Sequence, residues 1–252
     1  MVTTAHVDVV ILTWNDGDLL DAAVSSVLRV DEPSVQVILV DNASDPPAVA
    51  TDDPRVTIVR NEENRGVAPA RNQGARLGSS PLVCLLDSDA ALTPGALEAL
   101  VAAIERESDI GLVAPLFADQ APTASAGPAP SFWRKAARVL NLRDTYAAGS
   151  EFVDGVRDVD FAIGACQLFR RTAFESVGGL DETYFYGPED VDFCLRLREA
   201  GWRVQQTDRA LVHHPPRRRF RGLLTKRGLQ HAWAVVRHLW RHRGFRRKVD
   251  RR

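Results

Sequence analysis

The stretch Pro81–Ala90, PLVCLLDSDA, decides how the rest of the chain is read. Leu82, Val83, Cys84, Leu85 and Leu86 run without a polar interruption and stop at Asp87-Ser88-Asp89. An apolar run of that length, bounded by proline and by acids, predicts a strand buried on both faces. In an open α/β sheet, ligands sit beyond the carboxyl ends of such strands. Alternate residues of an extended chain share a side, so Asp87 and Asp89 aim two carboxylates at one spot. Two hard oxygen donors suit Mg²⁺ or Mn²⁺ bound together with substrate phosphates. The competing reading is a loop leading into the helix that Thr93-Pro94 starts, with Pro at the first helical position.

Working outward, the same grammar recurs. Val7–Leu12 is a strand ending in Thr13-Trp14-Asn15-Asp16, and Leu19, Leu20, Ala23, Val24, Val27 and Leu28 mark one helical face. Val35–Val40 ends in the turn cluster Asp41–Pro46, and Val56–Val59 is followed by Asn61–Gly66. A helix over Ala68–Leu77 leads into the central strand, a second over Ala96–Ile104 leaves it, and Ile110–Ala114 is another strand. Strands alternating with helices predict a mostly parallel sheet in the α/β class, and their polar carboxyl ends share one edge. That edge is the candidate active site.

The second half is less regular. Ala118–Ser131 is rich in Pro, Ala and Ser and predicts a loop or linker, followed by a short amphipathic helix over Phe132–Leu142. Phe161–Phe169 predicts a strand interrupted at Gly164-Ala165, where small residues would let a ligand approach the backbone. Val177–Glu182 is a turn. Pro188-Glu189-Asp190 opens a helix to Ala200 that Gly201 caps. Acids at a helix start favour the positive end of its dipole, which is sufficient reason for Glu189, Asp190 and Asp192 on structural grounds alone.

Composition sets bounds. The chain has 252 residues and a formal net charge of −1, with 45% hydrophobic and 26% charged residues, as in ordinary globular proteins. No run reaches the length of a membrane-spanning helix. The opening residues lack a basic n-region, which predicts a cytoplasmic protein; the sequon Asn42-Ala43-Ser44 is then a chance match. Three dispersed cysteines, Cys84, Cys166 and Cys194, predict reduced core thiols, not a disulfide frame or zinc site. From His213 onward, fourteen Arg and Lys face one acid, Asp250. Leu229, Trp233, Val236 and Trp240 form one helical stripe with Arg227, His231, Arg237, His238 and Arg241 between them. Such a helix either lies on an anionic membrane surface, at the inner face of the membrane, or packs on the catalytic domain or a second subunit.

Six segments then occur in order: VVILTWN, VILVDNASD, NRGVAPARNQGA, LLDSDA, GACQLFRR and VGGLDETYFYGPEDVDFCLRL. Together they resemble the family 2 glycosyltransferases of the GT-A fold, especially the bacterial rhamnosyltransferase-like group, over residues 7–214. The resemblance implies a single nucleotide-diphospho-sugar-binding domain over 1–214, with a nucleotide-binding half (1–115) and an acceptor/catalytic half (116–214). The basic extension is 215–252. It implies that Thr13, Trp14 and Asn15 line the nucleotide pocket and that Asp41 hydrogen-bonds the pyrimidine, with Asn42 beside it. Asn64, Arg65, Gly66, Arg71 and Asn72 would shape the nucleotide and sugar side, and Gly164 and Ala165 would border sugar and acceptor. Asp87, Ser88 and Asp89 match the DXD motif that holds metal and diphosphate. Glu189-Asp190 matches the acidic pair whose second member is the usual base. A histidine on the next strand, His213 or His214, would complete the metal shell. Gly187-Pro188 and Pro215-Pro216 depart from the family pattern and bear on the acceptor subsite and on the loop over the donor.

The implied reaction is an inverting transfer, from a dTDP-rhamnose-like or UDP-hexose donor, to a hydroxyl of a glycan, glycolipid or natural product. A diphosphate leaving group calls for a metal, and a weakly nucleophilic hydroxyl calls for a carboxylate base. A nucleotidyltransferase is expected to carry a basic glycine-rich loop after the first strand, where Thr13–Asp18 is acidic instead. A glycosidase would leave the Asp41 and Asn64–Gly66 loops without a role. Nucleic-acid binding through the tail, with an inactive domain, lacks a recognisable fold or stacking aromatics.

Overall fold

The computed structural model describes residues 6–49, 51–118, 120, 125–129, 151–215, 236–238 and 241–242. The helix expected over 132–142, much of the Pro/Ala/Ser segment, and Leu229, Trp233 and Trp240 of the apolar stripe lie outside them.

The central run forms β4 (Leu82–Asp87), and Leu82–Leu86 are all at most 3% exposed. Before it come β1 (His6–Thr13), α1 (Asp18–Leu28), β2 (Ser34–Asp41), β3 (Val56–Arg60) and α2 (Val67–Leu77). β1 pairs in parallel with both β2 and β4, and β2 with β3. Alternation along β1 sends Val7, Val9 and Ile11 into the core beneath α1 and Val10 into the core beneath α2. Both faces are covered, which is why these strands read as unbroken apolar runs.

Beyond β4 the chain forms β5 (Ala91–Leu92), α3 (Ala96–Ile104), β6 (Ile110–Phe117), β7 (Ala126–Gly127), β8 (Val156–Asp158), β9 (Phe161–Ala162) and β10 (Cys166–Arg170). It closes with α4 (Arg171–Ser176), α5 (Glu189–Glu199) and β11 (Arg203–His213). The main sheet runs β3-β2-β1-β4-β10-β6-β11-β5, with β8 on β11. β10 is antiparallel to both its neighbours, so the sheet is mixed but mostly parallel.

One helix start differs from expectation: the helix expected at Pro94 starts at Ala96, because the Thr93 amide and hydroxyl both donate to the Leu211 carbonyl and Gly95 turns through φ 78°. The strand expected over Phe161–Phe169 is interrupted at Gly164-Ala165 as expected, between β9 and β10. Ile163 donates to Ser125 as β9 pairs with β7, which draws that end out of the main sheet. The one-turn helix α4 carries no readable period and was not foreseen. Cys84, Cys166 and Cys194 are buried free thiols, as expected.

Candidate active site

The carboxyl ends of β1, β2 and β4 meet the start of α5 on one edge, and Arg71 ties β4 to α5. It projects from α2, is 5% exposed, and donates to Asp87 Oδ1 at 2.6 Å, Glu189 Oε1 at 3.1 Å and the Gly164 carbonyl at 2.9 Å. Burial works against its charge, but Asp87, Glu189 and Asp190 outweigh it and hold the guanidinium firmly protonated. A Cβ on Gly164 would stand 2.4 Å from Arg71 Nη1. The open backbone at Gly164 is therefore filled by Arg71, not left for a ligand. Ala165 is also buried and accepts the Asp87 amide at 2.9 Å. These two residues tie β10 to the end of β4 and to Arg71.

The acidic pair splits in character. Glu189 is 5% exposed; burial first, and the charge of Asp190 second, push it up to about 7 although Arg71 pulls it down. Its Oε2 has no hydrogen-bond partner among the described residues. Asp190 is half-buried and accepts the Gly164 amide at 2.9 Å and the Val191 amide at 2.7 Å. The nearby Asp192 points elsewhere. It is fully buried and binds Arg196 Nε at 2.6 Å and His242 Nε2 at 2.8 Å.

Asp87, Asp89 and His214 bring one ligand atom each within 4.8 Å of one another. His214 Nε2 lies 3.6 Å from Asp89 Oδ1, its ring packs on Phe117 at 4.9 Å, and Gln120 donates to its carbonyl at 2.7 Å. His213, on the opposite face, is exposed and stands outside this cluster. Two carboxylates and an imidazole form a donor set that fits Mn²⁺ or Mg²⁺. Ser88 is buried and donates its hydroxyl to Asp16.

The nucleotide-side residues form a braced set of loops. Asp41 is fully buried: its carboxylate accepts the Ser44 and Ala48 amides, both at 2.9 Å, and faces Arg60 Nε at 3.3 Å. Its carboxylate thereby orders the loop at the carboxyl end of β2. Asn42 donates to Asn64 at 3.0 Å and Gly66 at 3.3 Å, and accepts from Asn61 and the Arg65 amide. The Asn42 amide bonds the Thr13 carbonyl, and Asn15, at φ 61°, bonds Ser44 and Asp45. Thr13 is buried, Trp14 half-buried and Arg65 exposed, with Arg65 reaching Gln73 at 3.4 Å. Asn72 is fully buried and bonds Leu180 and Glu182, fastening the loop that precedes α5.

Asp16, Gln120, Arg237, Arg241 and His242 were missed as parts of this neighbourhood. Only Asp16 had a local signal, being the acid that closes the Thr13–Asp16 loop; the others pair across long separations that no spacing encodes.

Comparison with known proteins was made on this geometry. Residues 8–178 match the family model described as Glycosyl transferase family 2, and residues 148–215 one described as N-terminal domain of galactosyltransferase. N-acetylglucosaminyl-diphospho-decaprenol L-rhamnosyltransferase of Mycobacterium tuberculosis is 31% identical over 237 residues, covering 82% of this chain and 75% of that protein. Pre-mycofactocin glycosyltransferase of the same organism is 31% identical over 214 residues, covering 81% of this chain but 43% of its own length. Among solved structures, GalNAc-T7 with UDP, GalNAc and Mn²⁺ superposes with a TM-score of 0.66 at 18% identity, over 88% of this chain and 46% of that one. Mannosyltransferase PcManGT from Pyrobaculum calidifontis, with GDP-Man and Mn²⁺, gives 0.60 at 20% identity, over 93% and 63%. At these identities the structural likeness is one of fold.

Proposed function

Since the chain belongs to glycosyl transferase family 2, in its rhamnosyltransferase-like group, and has the GT-A fold, we propose that it transfers a sugar with inversion from a nucleotide diphosphate donor to an acceptor hydroxyl. The donor is dTDP-rhamnose or a related dTDP- or UDP-linked hexose. The acceptor is a lipid-linked glycan, in keeping with the printed activity of the M. tuberculosis relative. The observation that carries this reading is the convergence of Asp87, Asp89 and His214 with the Glu189-Asp190 helix start at one sheet edge.

Asp87, Asp89 and His214 would hold Mn²⁺ or Mg²⁺, which when bound neutralises charge on the departing diphosphate. Thr13, Trp14, Asn15, Asp41, Asn42, Asn64, Arg65 and Gly66 form the nucleotide wall, with Ser88 beneath it. Asp190 takes the acceptor proton; two backbone amides aim its carboxylate. Glu189, held neutral by burial across much of the range below pH 7, sets the polarity behind it. Arg71 keeps the DXD end of β4 and the acidic end of α5 at fixed separation. Residues 1–115 serve the nucleotide and 116–214 the acceptor, with the catalytic unit at the cytoplasmic face. Among the described residues no helix is long and apolar enough to cross a membrane.

Calorimetry with dTDP and UDP, with Mn²⁺ and with EDTA, tests the metal, and release of dTDP from dTDP-rhamnose in the presence of a lipid-linked N-acetylglucosamine acceptor tests the transfer. Nucleotide binding should need the metal and weaken about tenfold or more in Asp89→Asn, as expected when one of few charged ligands to a hard cation is lost. Equal affinity in EDTA would overturn the metal reading.

A further inference from the structure

The helix start that carries Asp190 is preceded by the loop 178–188, and both are fastened from one side by the catalytic unit itself. Asn72 holds Leu180 through two hydrogen bonds, at 2.8 and 2.9 Å, and Arg76 holds Glu182 at 2.9 Å. The Phe185 carbonyl accepts the Val67 amide at 2.8 Å. On the other side stand residues of the basic extension. Arg241 Nη1 meets Asp181 Oδ2 at 2.5 Å, and Arg237 Nη2 meets the same oxygen at 3.3 Å. Arg237 also lies 5.5 Å from the centre of the Tyr184 ring, which is fully buried. His242 Nε2 bonds Asp192 Oδ1 at 2.8 Å, on the oxygen that Arg196 leaves open.

These contacts bracket Asp190 in sequence, nine residues before it at Asp181 and two after it at Asp192. Asp192 is fully buried, and a buried carboxylate persists only where cations and donors compensate it. Arg196, its neighbour one helical turn on, spends its other nitrogens on the Val177 and Gly179 carbonyls, both at 2.7 Å. Asp192 thus joins the loop, α5 and the tail at one point.

We infer that Arg237, Arg241 and His242 are positioning residues for the transfer reaction: by binding Asp181 and Asp192 they clamp the loop 178–188 onto α5 and hold Asp190 against the Gly164 amide. Among the described residues, Arg241 and His242 pair with Asp181, Asp192 and Glu199, away from the DXD cluster and the nucleotide wall. Their effect should appear in the chemical step and not in donor binding. The inference rests on Asp190 being the base, as proposed above, and the test keeps the two apart.

The test uses the full chain with Arg237→Gln, Arg241→Gln and His242→Gln combined, and separately Asp181→Asn, which breaks the clamp from the other side. Hydrogen–deuterium exchange should quicken about tenfold or more over 180–195 while 82–92 keeps its wild-type rate, as local opening predicts. The kcat for transfer from dTDP-rhamnose should fall about tenfold with the Kd for dTDP and Mn²⁺ unchanged, since only transition-state positioning is lost. Arg237→Lys with Arg241→Lys, which keeps both charges, should restore most of kcat. Unchanged exchange over 180–195 would overturn the clamp. So would exchange, melting temperature and nucleotide affinity all worsening together, which marks general stability. If Asp190→Asn keeps most of its turnover while exchange in the clamp variants responds as expected, the clamp stands and the base assignment is what failed.

Discussion

At the scale of single residues, Glu189 and Asp190 separate by environment. Asp190→Asn keeps the shape but abolishes basicity, and its single oxygen accepts only one of the Gly164 and Val191 amides, so transfer should fall about 10²–10⁴-fold with nucleotide affinity intact. Glu189→Gln should lose less, because Gln still accepts from Arg71. The linkage for Glu189 has a definite sign. Its folded value, about 7, lies above the ordinary 4.5, so the folded state keeps a proton that the unfolded state releases. That contribution favours folding most below pH 4.5 and is lost as pH rises to about 7. The melting temperature of Glu189→Gln relative to wild type should therefore climb across that window. A flat difference would mean Glu189 is ionised throughout, and Asp190→Asn with most of its turnover would mean the base is another group.

At the scale of elements, the contact between the start of α2 and the loop before α5 depends on one absent side chain. Gly66 stands at φ 90°, and a Cβ there would lie 2.8 Å from the Phe185 carbonyl oxygen and 2.8 Å from its ring. Gly66→Ala meets both backbone strain and a clash with backbone, a cost of roughly 1–3 kcal/mol. Its melting temperature should fall by several degrees, and a thermal scan within one degree of wild type would contradict the contact. The periodic elements were legible because their patterns are local: the apolar runs of β1, β2 and β4 and the face of α1 are dictated by which neighbours bury them. The polar ends of those strands were legible as an edge. What each end residue does there was less so. Asp41 is held by the amides of its own turn, Ser44 and Ala48, whereas Asn42 binds Asn61, Asn64, Arg65 and Gly66, a loop brought in by folding. The resemblance implies that Arg71 shapes the nucleotide and sugar side, but not which groups hold it: its partners Asp87 and Glu189 are 16 and 118 residues away. The tail was read as a basic amphipathic stripe with membrane or protein as partner. Its described part meets Asp181 and Asp192, a pairing that helical periodicity could not single out.

At the scale of the whole molecule, β10 has a consequence for how the chain can be divided. It enters late in sequence yet lies between β4 and β6, reversed against both. The core beneath α1 likewise mixes Val9 and Leu86 with Leu168, Ala210 and Val212. Residues 1–115 and 116–214 contribute to one sheet and one core, so denaturant unfolding should be a single transition by fluorescence and by circular dichroism alike. Two separated transitions would contradict it. A chain ended at residue 115 would keep β1 to β4 but strip the partner from one flank of Leu82–Leu86. That flank would then present unpaired amides and carbonyls along the unbroken apolar run Leu82–Leu86, a template for a second copy to add to. The fragment should be recovered as aggregate, and β10 acts as the seal that keeps the strand under the active site from recruiting other chains.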